Sequence, residues 1–547
     1  MNQPQSITKT NPPSWLKISI IILIGLSIFC RFTNLGQKIY SSDENWTSVA
    51  ISGHTLDELK QEFSQNESII PISNFDKYQH INPDRGVADT VNYLITSDPQ
   101  HPPFYYVMVR LWAEVFGDSP TEIRSLSAVI SLLIFPSVYW LCLELFDSAV
   151  VGWIAMAIIA VSPLQLYFAQ EARQYALWMV EILGSSAALL RAMRQENKIN
   201  WALYSLSLVL GLYTHLFTVL IIISHGIYII IQQQFRFTKT FVNYFISIIV
   251  SLLIFLPWLI VFITHLHTAL ALNTGFGIKY INNPFELIAI FLVRVTRIFF
   301  DLNLTKSLSL ISRLNDENPL YYSSISLVFS LILIIYSLSL LVKNYQNKAY
   351  LFIFLLGAFP SLLLMVYDII AGGSRSIQVR YQLPLYLCLE ITVAYLLSFA
   401  FQILQEQAWR IKIAQVMMVV FLLAGLVSDV TFFKAKNWWT QSSSTFIIQT
   451  VQAINESEKP LLIINNAPIN LGGILALSHS SPKVSLLPVA DTQIMKISEN
   501  YNQIFFIQNN SSLFHHMEQD EKYVEKAIIV LDIPPGGLWE FEKNQQS

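Results

Sequence analysis

Charge is what this chain has least of. Only 13% of its 547 residues are Asp, Glu, Lys or Arg, against roughly 25% in soluble domains, while 53% are hydrophobic and the mean hydropathy is +0.47. That excludes an ordinary soluble protein. Disorder is excluded as well, because 12 Trp, 24 Tyr and 35 Phe give more apolar surface than a solvated coil carries. A net charge of −3, with no Lys/Arg block beside an RNA- or DNA-binding motif, leaves no footprint for nucleic acid as a partner. Cysteine is nearly missing. Cys30, Cys142 and Cys388 each lie inside an apolar run and read as small buried hydrophobes, which tell nothing of the compartment. Also missing are a Gly/Ser linker, a low-complexity tract, an internal repeat, and any H-E-x-x-H, C-x-x-C, G-x-S-x-G, Walker or G-x-G-x-x-G motif after a suitable strand. Zinc or serine hydrolysis and cytoplasmic ATP use therefore lack support. His265 and His267 are two apart and share no helical face, which argues against a helix-borne metal pair.

What is present is a series of long apolar runs. Trp15 to Phe32 reads as an uncleaved first span, since no small-x-small cleavage site follows Phe29-Cys30-Arg31. Ten more runs occupy roughly 122–146, 149–168, 171–192, 200–215, 216–233, 241–263, 321–342, 349–368, 383–404 and 411–431, each near the ~20 residues that a helix needs to cross hydrocarbon. The expected fold is an α-helical polytopic membrane protein of about eleven spans. With a cytoplasmic N-terminus, the short inside connections hold Arg191, Arg194, Lys198, Arg236, Lys239, Lys343, Lys348, Arg410 and Lys412, and the short outside ones only Arg173, Arg375 and Arg380. The positive-inside rule favours this orientation. Segments 34–121 and 264–320 then become long external loops, and the C-terminal piece is external too. The transmembrane domain, loop 34–121 included, covers 1–432, and a small soluble α/β domain covers 433–547, where β-rich runs at Leu461–Ile464, Val484–Leu487, Ile504–Ile507 and Ala527–Leu531 alternate with helical, polar segments.

Loop 34–121 carries ten Asp/Glu between Asp43 and Asp98. Within it, Phe104 to Phe116 is too short and polar for a span and reads as an amphipathic helix on the membrane surface, opened by Pro102-Pro103. The polar clusters at Asp43-Glu44, His101, Gln170 to Tyr175, Tyr213 to His215 and Arg375 to Tyr381 all fall on the outer side, so one external cavity can collect them. Each has a plain alternative. Ser41-x-x-Glu44 matches a helix capping box, whereas a carboxylate there can also accept a proton from an acceptor hydroxyl. Arg173 is either an interfacial arginine paired with Glu171 or a fork for a phosphate. His101 and His215 either end loops or donate to an anionic oxygen, and Arg380-Tyr381 is either an interfacial anchor or part of the cavity.

In order along the chain, Ser42-Asp43-Glu44-x-Trp46, His101-Pro102-Pro103-Phe104-Tyr105-Tyr106, Phe116-Gly117-Asp118-Ser119, Arg124-Ser125-Leu126-Ser127-Ala128, Ser162-Pro163-Leu164-x-Leu166-Tyr167-Phe168-Ala169-Gln170-Glu171-Ala172-Arg173-Gln174-Tyr175, Tyr213-Thr214-His215 and Arg380-Tyr381-x-x-Pro384 resemble bacterial members of the GT-C superfamily. More closely, they are similar to glycosyltransferase family 39, the group of protein O-mannosyltransferases and the lipid A aminoarabinose transferase. The resemblance covers roughly 15–430. It implies a large first external loop, an outward-facing site, a polyprenyl-phosphate sugar donor drawn from the membrane lipids, and a lipid, glycan or protein acceptor. Matched residue by residue, Asp43 would be the general base, Glu44 its neighbour in acceptor positioning, and His101 and Arg173 donor-phosphate contacts, with Glu171, Tyr175, His215, Arg380 and Tyr381 as further site residues. Relatives often have Lys where this chain has His101. No cofactor is predicted, and a divalent metal is left open. The expected activity is inverting transfer of a sugar to a hydroxyl at the outer face of the plasma (inner) membrane. A secondary transporter or lipid flippase without covalent chemistry is the competing reading, although the paired halves of a transporter are not evident.

Overall fold

The computed structural model describes residues 12–65, 68–275, 283–301, 319–344, 349–402 and 408–435, and in the C-terminal part 442–465, 471–481, 483–489, 503–508, 511–530 and 537–544, with a few single positions between. Every apolar run is helical: Ser14–Phe32, Pro120–Phe146, Ala149–Ala160 with Pro163–Ala169, Tyr175–Arg194, Lys198–Thr214, Thr218–Gln232, Lys239–Thr264, Pro319–Asn344, Ala349–Ala371, Leu383–Gln402 and Ala408–Lys434. By length and composition, six helices among the described residues can cross a membrane, or seven if the bent pair counts as one.

The Lys239–Thr264 helix shows what solvent surrounds the bundle. Its buried positions Tyr244, Ser247, Ser251, Phe255 and Trp258 recur every three or four residues and include two serines, while Ile249, Leu253 and Ile263 on the other faces are more than half exposed. A helix that turns serines inward and isoleucines outward is stable where the outer medium is hydrocarbon. The chain is a membrane protein.

The 149–168 run, expected as one continuous span, is broken. It turns by 67° between Ala160 and Pro163, because Pro163 offers no N–H to the preceding turn and drives Ser162 to extended backbone (φ −88°, ψ 116°). Further on, Lys198–Thr214 and Thr218–Gln232 fold back on one another as an antiparallel pair. Thr218 donates to the carbonyl of Gly211 at 2.8 Å near the turn, and Tyr204 and His225 meet at 3.1 Å farther along both helices. Of segment 264–320, the described parts are the helices Leu266–Gly275 and Pro284–Thr296, and the remainder at 276–282 and 302–318 lies outside the described residues.

Five strands of the C-terminal part join one from loop 34–121 in a sheet: β1 (Ile70–Pro71), β2 (Pro460–Asn465), β3 (Ser485–Val489), β4 (Gln503–Ile507), β5 (Tyr523–Val530) and β6 (Gly537–Lys543), in the order β1-β3-β2-β4-β6-β5. The central β2 runs parallel to both β3 and β4 and is buried along nearly its whole length. Alternate residues serve two cores, as a strand period of two requires. Leu462, Ile464, Leu486 and Phe505 face the helix Leu471–Ser480 and the membrane domain's core, whereas Leu461, Ile463, Phe506 and Phe541 pack on Phe514. Loop 34–121 supplies the edge strand β1, so it and the C-terminal sheet share one hydrogen-bonded ladder. Helix Leu471–Ser480 also rests on the Ser42–Ser52 helix. A Cβ on Gly472 would stand 2.4 Å from the Ser42 hydroxyl, so glycine permits that approach.

Candidate active site

The Ser42–Ser52 helix begins with the capping box that its sequence spells. Ser41 Oγ accepts from the Glu44 N–H at 3.3 Å, and Glu44 Oε2 accepts from the Ser41 N–H at 2.9 Å. Glu44 does more than cap. Its side chain is fully buried, and its oxygens also accept from Arg124 Nε and Nη2, both at 2.7 Å, and from the Ala172 N–H at 2.9 Å. Four hydrogen bonds fill the acceptor capacity of a carboxylate, so Glu44 has nothing left with which to position an acceptor. The expectation that it does so gives way to a structural duty: Glu44 joins the loop, the Pro120–Ser131 helix and the Gln170–Arg173 turn. Burial opposes its charge, but Arg124 and the two backbone donors outweigh that and hold its carboxyl below the ordinary glutamate value.

Asp43, one residue earlier, lies about 100° round the helix and has a side chain 42% exposed. Its Oδ2 is paired with Arg380 Nη1, across 337 positions of sequence. Arg380 is thus no isolated interfacial anchor. Burial opposes charging of Asp43, yet Arg380 and then Arg173 prevail and keep its carboxyl below the usual aspartate range.

Arg173 is buried and held on three sides. Nη1 donates to the Asp43 carbonyl at 3.1 Å and to Thr47 Oγ1 at 3.3 Å, and Nη2 donates to His101 Nε2 at 3.0 Å. His101 Nδ1 is 2.7 Å from Asp98 Oδ1, so the network assigns the proton to Nδ1 and leaves Nε2 to accept. In this arrangement His101 aims Arg173, with Asp98 behind it, and its ring nitrogens are both engaged. Arg173 Nε and Arg380 Nε are buried with no partner. Each of the two arginines that meet Asp43 therefore keeps one unpaired guanidinium N–H.

The walls are aromatic and acidic. Arg173 lies over Tyr106, with Tyr175 packed edge-on to Phe168. His215 stacks on Trp178 at 4.1 Å. Tyr381 packs against Phe217 and His215. Glu171 is not paired with Arg173 side chain to side chain; its Oε1 accepts from Tyr167 at 2.9 Å and its Oε2 is buried without a partner. Burial, reinforced by Glu44 and Asp43, pushes Glu171 up to about 8.

The turn that carries Glu171 and Arg173 is fastened from several directions. Gln170 Nε2 donates to the carbonyls of Cys30 (2.7 Å) and Thr33 (3.0 Å), Lys38 donates to Gln170 Oε1 at 2.9 Å, and Thr47 donates to the Ala172 carbonyl at 2.9 Å. Below it, Gln165 donates to Glu390 at 2.9 Å inside the bundle. Asp98, Lys38, Thr47, Gln165 and Glu390 carried no signal in sequence beyond being polar, and Arg124 was legible only as part of a motif. Among the described residues, no group of three or more His, Cys, Asp or Glu is arranged to hold a metal ion.

Residues 100–261 match the family model described as dolichyl-phosphate-mannose-protein mannosyltransferase. Nearly the whole chain is also similar to solved structures. ArnT from Cupriavidus metallidurans bound to undecaprenyl phosphate matches with a TM-score of 0.53 and 11% identity over 97% of this chain and 98% of that one. The Archaeoglobus fulgidus oligosaccharyltransferase tethered with an acceptor peptide matches with a TM-score of 0.52 and 13% identity, over 97% and 74% of the two chains. AglB from Archaeoglobus fulgidus, in complex with an inhibitory peptide and a dolichol-phosphate, gives 0.50 and 12%, over 98% and 75%. No curated protein matches the sequence. The chain is therefore a membrane protein with the GT-C glycosyltransferase fold, and its residues 100–261 bear the sequence pattern of the dolichyl-phosphate-mannose-protein mannosyltransferase family.

Proposed function

We propose that the protein is an inverting glycosyltransferase that moves a sugar from a polyprenyl-phosphate donor to a hydroxyl acceptor. The observation that carries this reading is the placement of a solvent-accessible carboxylate, Asp43, beside two arginines that each keep an unpartnered N–H. Asp43 accepts the acceptor's proton as the acceptor oxygen bonds to the anomeric carbon. The bond from that carbon to the phosphate oxygen breaks, and its electron pair leaves with the lipid phosphate, whose charge Arg173 and Arg380 stabilise. A single in-line displacement inverts the anomeric carbon. His101 with Asp98 orients Arg173, and Glu171, Tyr175, His215 and Tyr381 line the space for the sugar. The lipid phosphates in the ArnT and AglB structures support the donor class.

The site faces away from the cytoplasm in this reading. Basic residues gather in the alternate short connections, and the pairing of β1 with β3 supports placing loop 34–121 and the C-terminal sheet on one side. The membrane is the plasma (inner) membrane, with the N-terminus cytoplasmic. A transporter or flippase would not need a carboxylate set beside the phosphate-binding arginines. The test is reconstitution of the full chain in proteoliposomes with undecaprenyl-phosphate-linked sugars. Release of free undecaprenyl phosphate with appearance of a glycosylated acceptor supports transfer, and lipid translocation without cleavage of the sugar–phosphate bond refutes it.

A further inference from the structure

Asp43, as found, is poorly armed as a base. A carboxylate paired directly with a guanidinium has its proton affinity lowered, and Arg380 occupies Asp43 Oδ2. The two arginines of the site differ in how firmly they are held. Arg173 is 3% exposed and bonded to Thr47, His101 and the Asp43 carbonyl. Arg380 stands on the short Val379–Tyr381 turn between two helices, and its ion pair joins side chains 31% and 42% exposed. A half-exposed ion pair is more readily exchanged than the sealed contacts of Arg173.

We propose that Arg380 is a donor-operated switch: it neutralises Asp43 in the empty site, moves to the lipid phosphate when the donor binds, and so frees Asp43 to take the acceptor's proton. This rests on the glycosyltransferase reading above and adds an order of events to it, donor before acceptor. The surroundings suit the exchange. Arg173 keeps its bond to the Asp43 backbone carbonyl, so Asp43 stays in place when Arg380 leaves. The unpartnered Nε of Arg380 gives the departing guanidinium a second donor for the phosphate. Burial pushes Glu171 up to about 8, which lowers the negative charge it offers Arg380 at neutral pH.

The switch makes Asp43 and phosphate rivals for one guanidinium, which a double-mutant cycle on the purified full chain can read. Binding of undecaprenyl phosphate is measured for the wild type, Asp43→Asn, Arg380→Gln and the double variant, with melting curves to confirm folding. Asp43→Asn should bind about tenfold more tightly than the wild type, the scale of one charge-assisted hydrogen bond. In the Arg380→Gln background the same change should alter affinity less than about twofold. Equal tightening in both backgrounds would mean plain charge repulsion, and no tightening would mean that Arg380 never leaves Asp43; either result overturns the switch. If Arg380→Gln does not fold, Arg380→Ala completes the same cycle. A folded wild type that binds no undecaprenyl phosphate overturns the glycosyltransferase reading itself, and the switch with it.

Discussion

Replacing Arg173 by lysine keeps the charge and removes the fork, which makes it a sharp test of the phosphate assignment. The guanidinium serves Thr47 and the Asp43 carbonyl through Nη1 and His101 through Nη2, and still holds Nε in reserve. An ammonium is a point charge on a flexible stem and cannot keep those partners while also reaching a phosphate oxygen. One hydrogen bond to a charged group is worth about 1.5–3 kcal/mol, so losing it weakens donor binding by roughly ten- to a hundredfold. His101 Nε2 loses its donor as well, and the Asp98–His101 pair loses the group it aims. The assay is the Kd of undecaprenyl phosphate for purified wild type and Arg173→Lys, with thermal melting alongside. A folded Arg173→Lys whose affinity is within twofold of the wild type refutes the assignment and makes Arg173 an interfacial anchor, for which lysine is nearly as good.

Asp43→Asn should lower transfer by at least on the order of a hundredfold through loss of the base, with membrane insertion intact; near-normal turnover would remove Asp43 from that role. Glu44→Gln should act on stability, because it strips the counter-charge from buried Arg124 at a cost of about 3–5 kcal/mol; an unchanged melting temperature would show that the pair does not hold the loop. Glu171 keeps its proton up to about pH 8 in the folded chain, against 4.5 for an ordinary glutamate, so the native state binds the extra proton across that window and stability falls as pH rises through it. Glu171→Gln should flatten the fall, and superimposable profiles of melting temperature against pH for the two proteins would contradict the shift. Cysteines placed at exposed Ser68 and Gln519 should both react with an impermeant thiol reagent on intact cells; labelling of one alone would break the shared sheet, and labelling of neither before lysis would invert the topology.

The amino-acid sequence by itself determined the class of protein, because spans are written in windows of about twenty residues and need no distant partner. It also determined the start of the Ser42–Ser52 helix, since a capping box lies within one turn; the break at Pro163 was not expected from the apolar run, although its cause, the missing N–H, is local. The resemblance to family 39 brought the site residues together as a group. Tertiary structure decided what each one does. Asp43 and Glu44 are adjacent and chemically alike, yet one meets Arg124 from 80 positions away in a sealed core and the other meets Arg380 from 337 positions away in a half-open cavity. Nothing local distinguishes them, because the difference is one of burial and of which arginine the packing delivers. The same holds for Asp98 behind His101 and for the strand that loop 34–121 lends to the C-terminal sheet. A hydrogen bond between residues far apart in sequence is selected by the packing of the elements that carry them, and that packing is a property of the whole bundle.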